Sequence, residues 1–147
     1  MLWGCIYAFF ASLGFGIIFN IRGNKLLLAS LGGALGWFSY SLSLHLGINN
    51  FSSLAIAGLS FSSYSEVMAR VCKTPVTIFI ICALIPLVPG GGMYYTMLEV
   101  IQGNLAKALE TGVETIASAG SLVIGMLMVS SIMKLIKNYK QRYYGQE

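Results

Sequence analysis

The most distinctive segment of the sequence is LIPLVPGGGMYY, residues 84–95. It lies in an apolar stretch whose predicted helix begins at Thr74 and Pro75, because a capping hydroxyl followed by proline is typical of a first turn. At about 1.5 Å per residue, Pro89 then lies roughly 20 Å along that helix. Two prolines and three consecutive glycines cannot continue a regular helix there. The sequence therefore predicts a helix that is broken at this point.

The composition is that of a membrane protein. Of the 147 residues, 56% are apolar and only 10% are charged, whereas about 25% charge is usual in soluble domains. A transmembrane helix needs about 20 mostly apolar residues, so five or six spans fit in the chain and a separate soluble domain does not. We expect one integral membrane domain over residues 1–147, located in the plasma or inner membrane.

Polar loops divide the chain into five apolar stretches. These are Leu2–Phe19, Leu26–Leu46, Phe51–Ala69, Pro75–Val100 and Thr115–Ile136. The first is interpreted as a span and not as a signal peptide, because it lacks a basic n-region and a convincing cleavage site. The third is the most polar, since it contains six serines and Glu66. Without it, four spans would remain.

The basic residues favour five spans. Cytoplasmic loops are enriched in Lys and Arg, and with five spans only Lys107 falls on the opposite side from the other basic residues. Those are Arg22, Lys25, Arg70, Lys73, Lys134, Lys137, Lys140 and Arg142. We therefore predict an all-α bundle of about five transmembrane helices with a Pro/Gly-broken fourth helix, the N-terminus outside and the C-terminus inside.

The break in the fourth helix is also the first candidate site. Freed backbone groups cannot face lipid, so the break must be buried in protein or must line an aqueous cavity. Discontinuous helices often form transporter binding sites, and a helix restarting near Met93 would direct N–H groups and a positive dipole end at a carboxylate. The candidate substrate-binding residues are Pro86, Pro89, Gly90, Gly91, Gly92 and Tyr94. A structural kink that allows close helix packing is the alternative interpretation.

Glu66 is the candidate for proton coupling, because a charged side chain within a span is costly and usually faces the bundle interior. It shares a helix face with Gly58 and Ser62, which precede it at intervals of four. The alternative is a simple ion pair with Arg70, at i+4, near the cytoplasmic edge.

Three more glutamates, Glu99, Glu110 and Glu114, cluster with Lys107 around the predicted outer loop. Glu110 and Glu114 share a helix face and are candidates for an outer vestibule. A solvated helix end is the alternative interpretation of this pair.

Neither a catalytic site nor a metal or cofactor site is predicted. The sequence has no aspartate, a single histidine, no nucleotide-binding loop and three cysteines without paired spacing. The basic tail directly follows an apolar segment, which indicates contact with lipid headgroups and not with nucleic acid. An odd number of spans without an internal repeat suggests half of a transporter, completed by a second copy in a homo-oligomer or by a different subunit.

Residues 19–25, 32–37, 63–70, 73–75 and 84–95 together resemble the small-subunit family of threonine/serine exporters. The resemblance covers essentially the whole chain. It implies a five-span module beside a larger membrane subunit, and export of threonine and serine or of succinate-like dicarboxylates. We therefore expect a subunit of a proton-coupled secondary exporter and not an enzyme, with a non-transporting scaffold subunit as the alternative. The resemblance assigns no site residue.

Overall fold

The computed structural model describes residues 2–144, with the side chains at 137, 138 and 140–144 excepted. Within this part of the chain every regular element is helical. In chain order the elements are α1 (Leu2–Ile18), α2 (Asn24–His45), α3 (Asn50–Val71), α4 (Thr77–Leu84), a 3-10 turn (Ile85–Leu87), α5 (Gly90–Ile101) and α6 (Leu105–Tyr144). The predicted all-α class is confirmed.

Among residues 2–144, two helices are by themselves long and apolar enough to cross a bilayer: α2 and the Leu105–Ile136 part of α6. The bent pair α4 and α5 adds a third if it is counted as one span. Helix α1 is apolar but has only 17 residues, and α3 has the length but carries the serines and charges noted above. The structure thus gives two or three candidate spans where the sequence predicts five, and the five-span count and the orientation stay predictions.

Helix α6 begins at Leu105, ahead of the apolar stretch that starts at Thr115. Gly103 reverses the chain with a positive φ of 80°, a conformation that costs glycine little. The residues after it are mostly good helix formers, so the helix starts at once. The connection between α5 and α6 is therefore short, and Glu110 and Glu114 both lie on the first turns of α6.

Helix α2 lies at the centre, packed against α1, α3 and α4. Its glycines allow this close approach. A methyl group at Gly33 would collide with the Ser12 hydroxyl of α1, and one at Gly36 would come within 2.9 Å of Leu87 in the 3-10 turn. Gly32 lies against α3 and α4 in the same way. Each neighbour therefore packs against a glycine of α2.

Helix α3 packs against α6 through a second pair of glycines. A methyl group at Gly58 would lie 2.7 Å from the carbonyl oxygen of Leu122, and one at Gly125 would collide with the carbonyl of Ala55. Because both obstacles are backbone atoms, neither can rotate away. The buried side chain of Phe61 packs beside this crossing, so the α3–α6 contact is also part of the core.

We expect Gly125→Ala to lower the free energy of unfolding by about 1–3 kcal/mol, the usual cost of forcing a methyl group into a packed interior. Gly120→Ala is the matched control, because Gly120 is exposed on the same helix and a methyl group there meets nothing within 4 Å. Chemical denaturation in detergent measures both. Equal stabilities of the two variants would mean that α3 and α6 do not cross at these glycines.

Candidate functional site

The predicted helix break lies between the 3-10 turn and α5, where the helix axis bends by 51°. Proline has no N–H, so neither Pro86 nor Pro89 can donate to a carbonyl one turn earlier. The backbone forms the tighter 3-10 hydrogen bond instead, in which the Val88 N–H donates to the Ile85 carbonyl at 3.3 Å. Val88 itself is extended, with φ −60° and ψ 131°. The helix is thus fully interrupted at Val88, which goes beyond a simple kink.

The start of α5 leaves backbone donors free. The Gly90 N–H donates to the Val88 carbonyl at 2.7 Å, and the Met93 N–H to the Pro89 carbonyl at 3.2 Å. Between them, the N–H groups of Gly91 and Gly92 have no hydrogen-bond partner among the described residues, and no side chain caps the helix. Free N–H groups and the positive end of the helix dipole form a setting that favours an anion.

The two faces of this helix start differ. Gly90 and Gly91 are exposed, and a methyl group at either would meet nothing within 4 Å, whereas one at Gly92 would collide with Thr115 of α6. Tyr94 is 64% exposed. Gly92 therefore serves the packing of α5 on α6, while Gly90, Gly91 and Tyr94 face away from the rest of this chain.

The structure does not bring Glu66 to the break. Its carboxylate is on α3, with the side chain 17% exposed, and its ion-pair partner is Arg70 at 3.9 Å. The Arg70 guanidinium also lies 3.7 Å from the sulfur of Met133 on α6. The alternative i+4 pairing thus exists, although it is long. The proton-coupling role of Glu66 stays a prediction.

Glu99, near the end of α5, was placed by the sequence in the outer glutamate cluster but was not selected as a site residue. It is buried, with 7% of its surface exposed. Its carboxylate contacts the Lys107 ammonium on α6 at 2.5 Å and accepts a hydrogen bond from the Asn104 amide at 3.0 Å. Gly103 makes the turn that brings these groups together. The polar cluster therefore closes the α5–α6 hairpin at the end opposite Gly92.

The remaining candidates have fewer contacts. Glu110 and Glu114 are exposed on α6, so their vestibule role stays a prediction. Among the residues that the structure describes, no three His, Cys, Asp or Glu side chains lie together in a way that could hold a metal ion. Of the basic tail, Lys134 is exposed, and the side chains of Lys137, Lys140 and Arg142 lie outside the described ones.

We expect Lys107→Gln to lower the thermal unfolding midpoint more than Lys134→Gln, because only the first leaves a buried carboxylate without its counter-ion. Glu99→Gln combined with Lys107→Gln should recover part of the loss, since neither partner is then charged. Thermal unfolding of these three variants and of Glu99→Gln alone, in detergent, measures the coupling. Additive losses in the double variant would show that the pair does not hold the hairpin.

Comparison with known proteins identifies the family of the chain. The family model described as Threonine/Serine exporter, ThrE, matches residues 4–132, a range that includes α1 to α5 and most of α6. No solved structure is significantly similar to the chain. The match covers the central helix, the broken helix and the α5–α6 hairpin together. The chain belongs to the threonine/serine exporter family of membrane transporters.

Proposed function

We propose that the chain is one subunit of a secondary active exporter of small hydrophilic carboxylates, either threonine and serine or a succinate-like dicarboxylate. It works with a larger membrane subunit of the same family in the plasma or inner membrane, and export is coupled to protons. The observation that carries this proposal is the interrupted helix, whose free N–H groups lie on a face that this chain leaves uncovered.

Lipid cannot cover that face. Unsatisfied backbone groups at membrane depth are tolerated only within protein or beside a water-filled cavity. Because Gly90 and Gly91 have open space above them, a second chain can approach closely and enclose the break. Between the two chains, the N–H groups of Gly91 and Gly92 are suited to a substrate carboxylate. The second chain then supplies the group that meets a substrate ammonium.

The proposed arrangement has five spans, with the N-terminus outside. Helix α1 is about 26 Å long and α3 about 33 Å, close to the roughly 30 Å hydrocarbon core. The polarity of α3 is largely hidden, because Ser60, Ser63 and Ser65 donate to carbonyls one turn earlier at 2.7–2.9 Å. Helix α3 also packs between α2 and α6, so much of its surface faces protein and not lipid.

Glu66 is proposed as the proton-coupling group. Its side chain is only 17% exposed, its helix packs between α2 and α6, and its contact with the Arg70 guanidinium is long, at 3.9 Å. The exposed Glu110 and Glu114 are proposed to line the outer vestibule.

A non-transporting scaffold is the second candidate. The glycine contacts of α2 and the α3–α6 crossing favour it, because they make a rigid bundle without requiring a ligand. In that case the face at Gly91 would bind the partner only.

We expect carboxylate export in vesicles that contain this chain and the larger subunit, under an imposed pH gradient, and none with either chain alone. Gly91→Ala should reduce it by roughly tenfold or more, because an inserted methyl group costs a packed contact about 1–3 kcal/mol. Gly120→Ala, also in open space, is the matched control. Radiolabelled threonine, serine and succinate are the substrates to measure. Export by the larger subunit alone would instead establish the scaffold.

Glu66→Gln should abolish the dependence of export on the pH gradient while leaving downhill exchange of substrate intact. Gln keeps the size of the side chain but cannot bind and release a proton near neutral pH. Glu114→Gln is the control, because Glu114 is exposed and no coupling role is proposed for it. An unchanged pH dependence in Glu66→Gln would remove Glu66 from coupling.

A further inference from the structure

An open cleft of roughly 460 Å³ lies away from the helix break, between the α1–α2 connection and the start of α4. Its apolar wall consists of Phe19, Ile21 and Ile78, and Thr74 lies at its edge. No role assigned above uses this cleft. Its residues lie in or beside two connections, α1–α2 and α3–α4, that the sequence predicts on the same side of the membrane.

Two cations line the cleft, Arg22 and Lys25, and none of its lining residues is acidic. Asn20 adopts a left-handed conformation, with φ 58°, which asparagine tolerates better than most residues. Its side-chain oxygen accepts a hydrogen bond from the Arg22 Nε at 3.0 Å. This bond orients the guanidinium and leaves its terminal N–H groups available. Such a group binds phosphate oxygens in a bidentate manner.

The cleft is placed where lipid headgroups lie. Helix α1 ends at Ile18, one residue before the cleft begins, and its length of about 26 Å nearly matches the hydrocarbon core. A molecule in the cleft therefore contacts the two cations and also the apolar side chains of Phe19 and Ile78, at the level where the acyl chains begin. A small free anion would use the cations only and would leave the apolar wall without a partner.

We propose that this cleft binds the phosphodiester headgroup of an anionic phospholipid, with its glycerol and first acyl carbons against Phe19 and Ile78. Basic pockets between membrane helices are suited to such lipids. Because Ile78 belongs to α4, the bound lipid ties the α1–α2 connection to the helix that leads into the break. The inference rests on the proposed membrane placement, but it requires neither substrate nor partner.

The test is native mass spectrometry of the full chain in detergent, titrated with phosphatidylglycerol, with phosphatidylcholine of the same acyl chains, or with inorganic phosphate. We expect phosphatidylglycerol to bind most tightly. Arg22→Gln with Lys25→Gln should weaken it by about fivefold for each charge removed, the effect of one basic residue near an anionic surface. Lys73→Gln with Lys134→Gln removes the same charge without touching a cleft-lining residue, and should leave binding unchanged.

A second variant tests the apolar wall. Phe19→Ala should weaken phosphatidylglycerol binding, whereas Phe10→Ala, on the exposed face of α1, should not. Equal binding of both lipids, equal loss in the two charge-matched pairs, or phosphate bound as tightly as phosphatidylglycerol would each overturn the proposal. Because no transport is measured, a failed export assay has no bearing on this result.

Discussion

A bilayer offers no hydrogen-bond partner to the backbone, and this constraint governs the whole molecule. Along residues 2–144, the interior backbone groups of the helices are satisfied within each helix. The exception is the segment around Val88, where two prolines remove donors and Gly91 and Gly92 present N–H groups without a partner among the described residues. A chain that keeps such a segment must enclose it with something other than lipid. The open face at Gly91 shows that this chain does not do so itself.

The same constraint explains why the bundle is built on glycine and serine. Between lipid-solvated helices there is little hydrophobic driving force, so close contact must supply the stability. Gly33 and Gly36 let α1 and the 3-10 turn approach α2, and Gly58 lets α6 approach α3. Three serines of α3, Ser60, Ser63 and Ser65, donate their hydroxyls to carbonyls of their own helix. Helix α3 is therefore polar in composition and yet suited to the interior of the bundle.

Much of the fold and part of the site could be predicted from the sequence, because local chemistry determines them. Consecutive prolines and glycines break a helix wherever they occur, so residues 84–95 identified the interruption. Glu99 could not be distinguished from Glu110, because its burial depends on the turn at Gly103 and on Lys107 across the hairpin. Likewise, the sequence does not show that Gly92 is closely packed while Gly91 is in open space, because the difference comes from Thr115 on α6. Composition alone also cannot decide whether α3 spans the membrane.

The two halves of the broken helix, α4 and α5, have different packing partners. Helix α4 packs against α2, whereas α5 packs against α6, where Gly92 and the Glu99–Lys107 pair hold it. The two halves therefore have different main partners, although α3 packs against α2, α4 and α6 and joins them into one bundle. The bend of 51° at Val88 lies at the junction between the two halves. A substrate bound as proposed to the N–H groups of α5 would contact this half of the broken helix directly and would contact the proposed second chain with its remaining surface. Any movement of that chain relative to α2 would thus act directly on the junction.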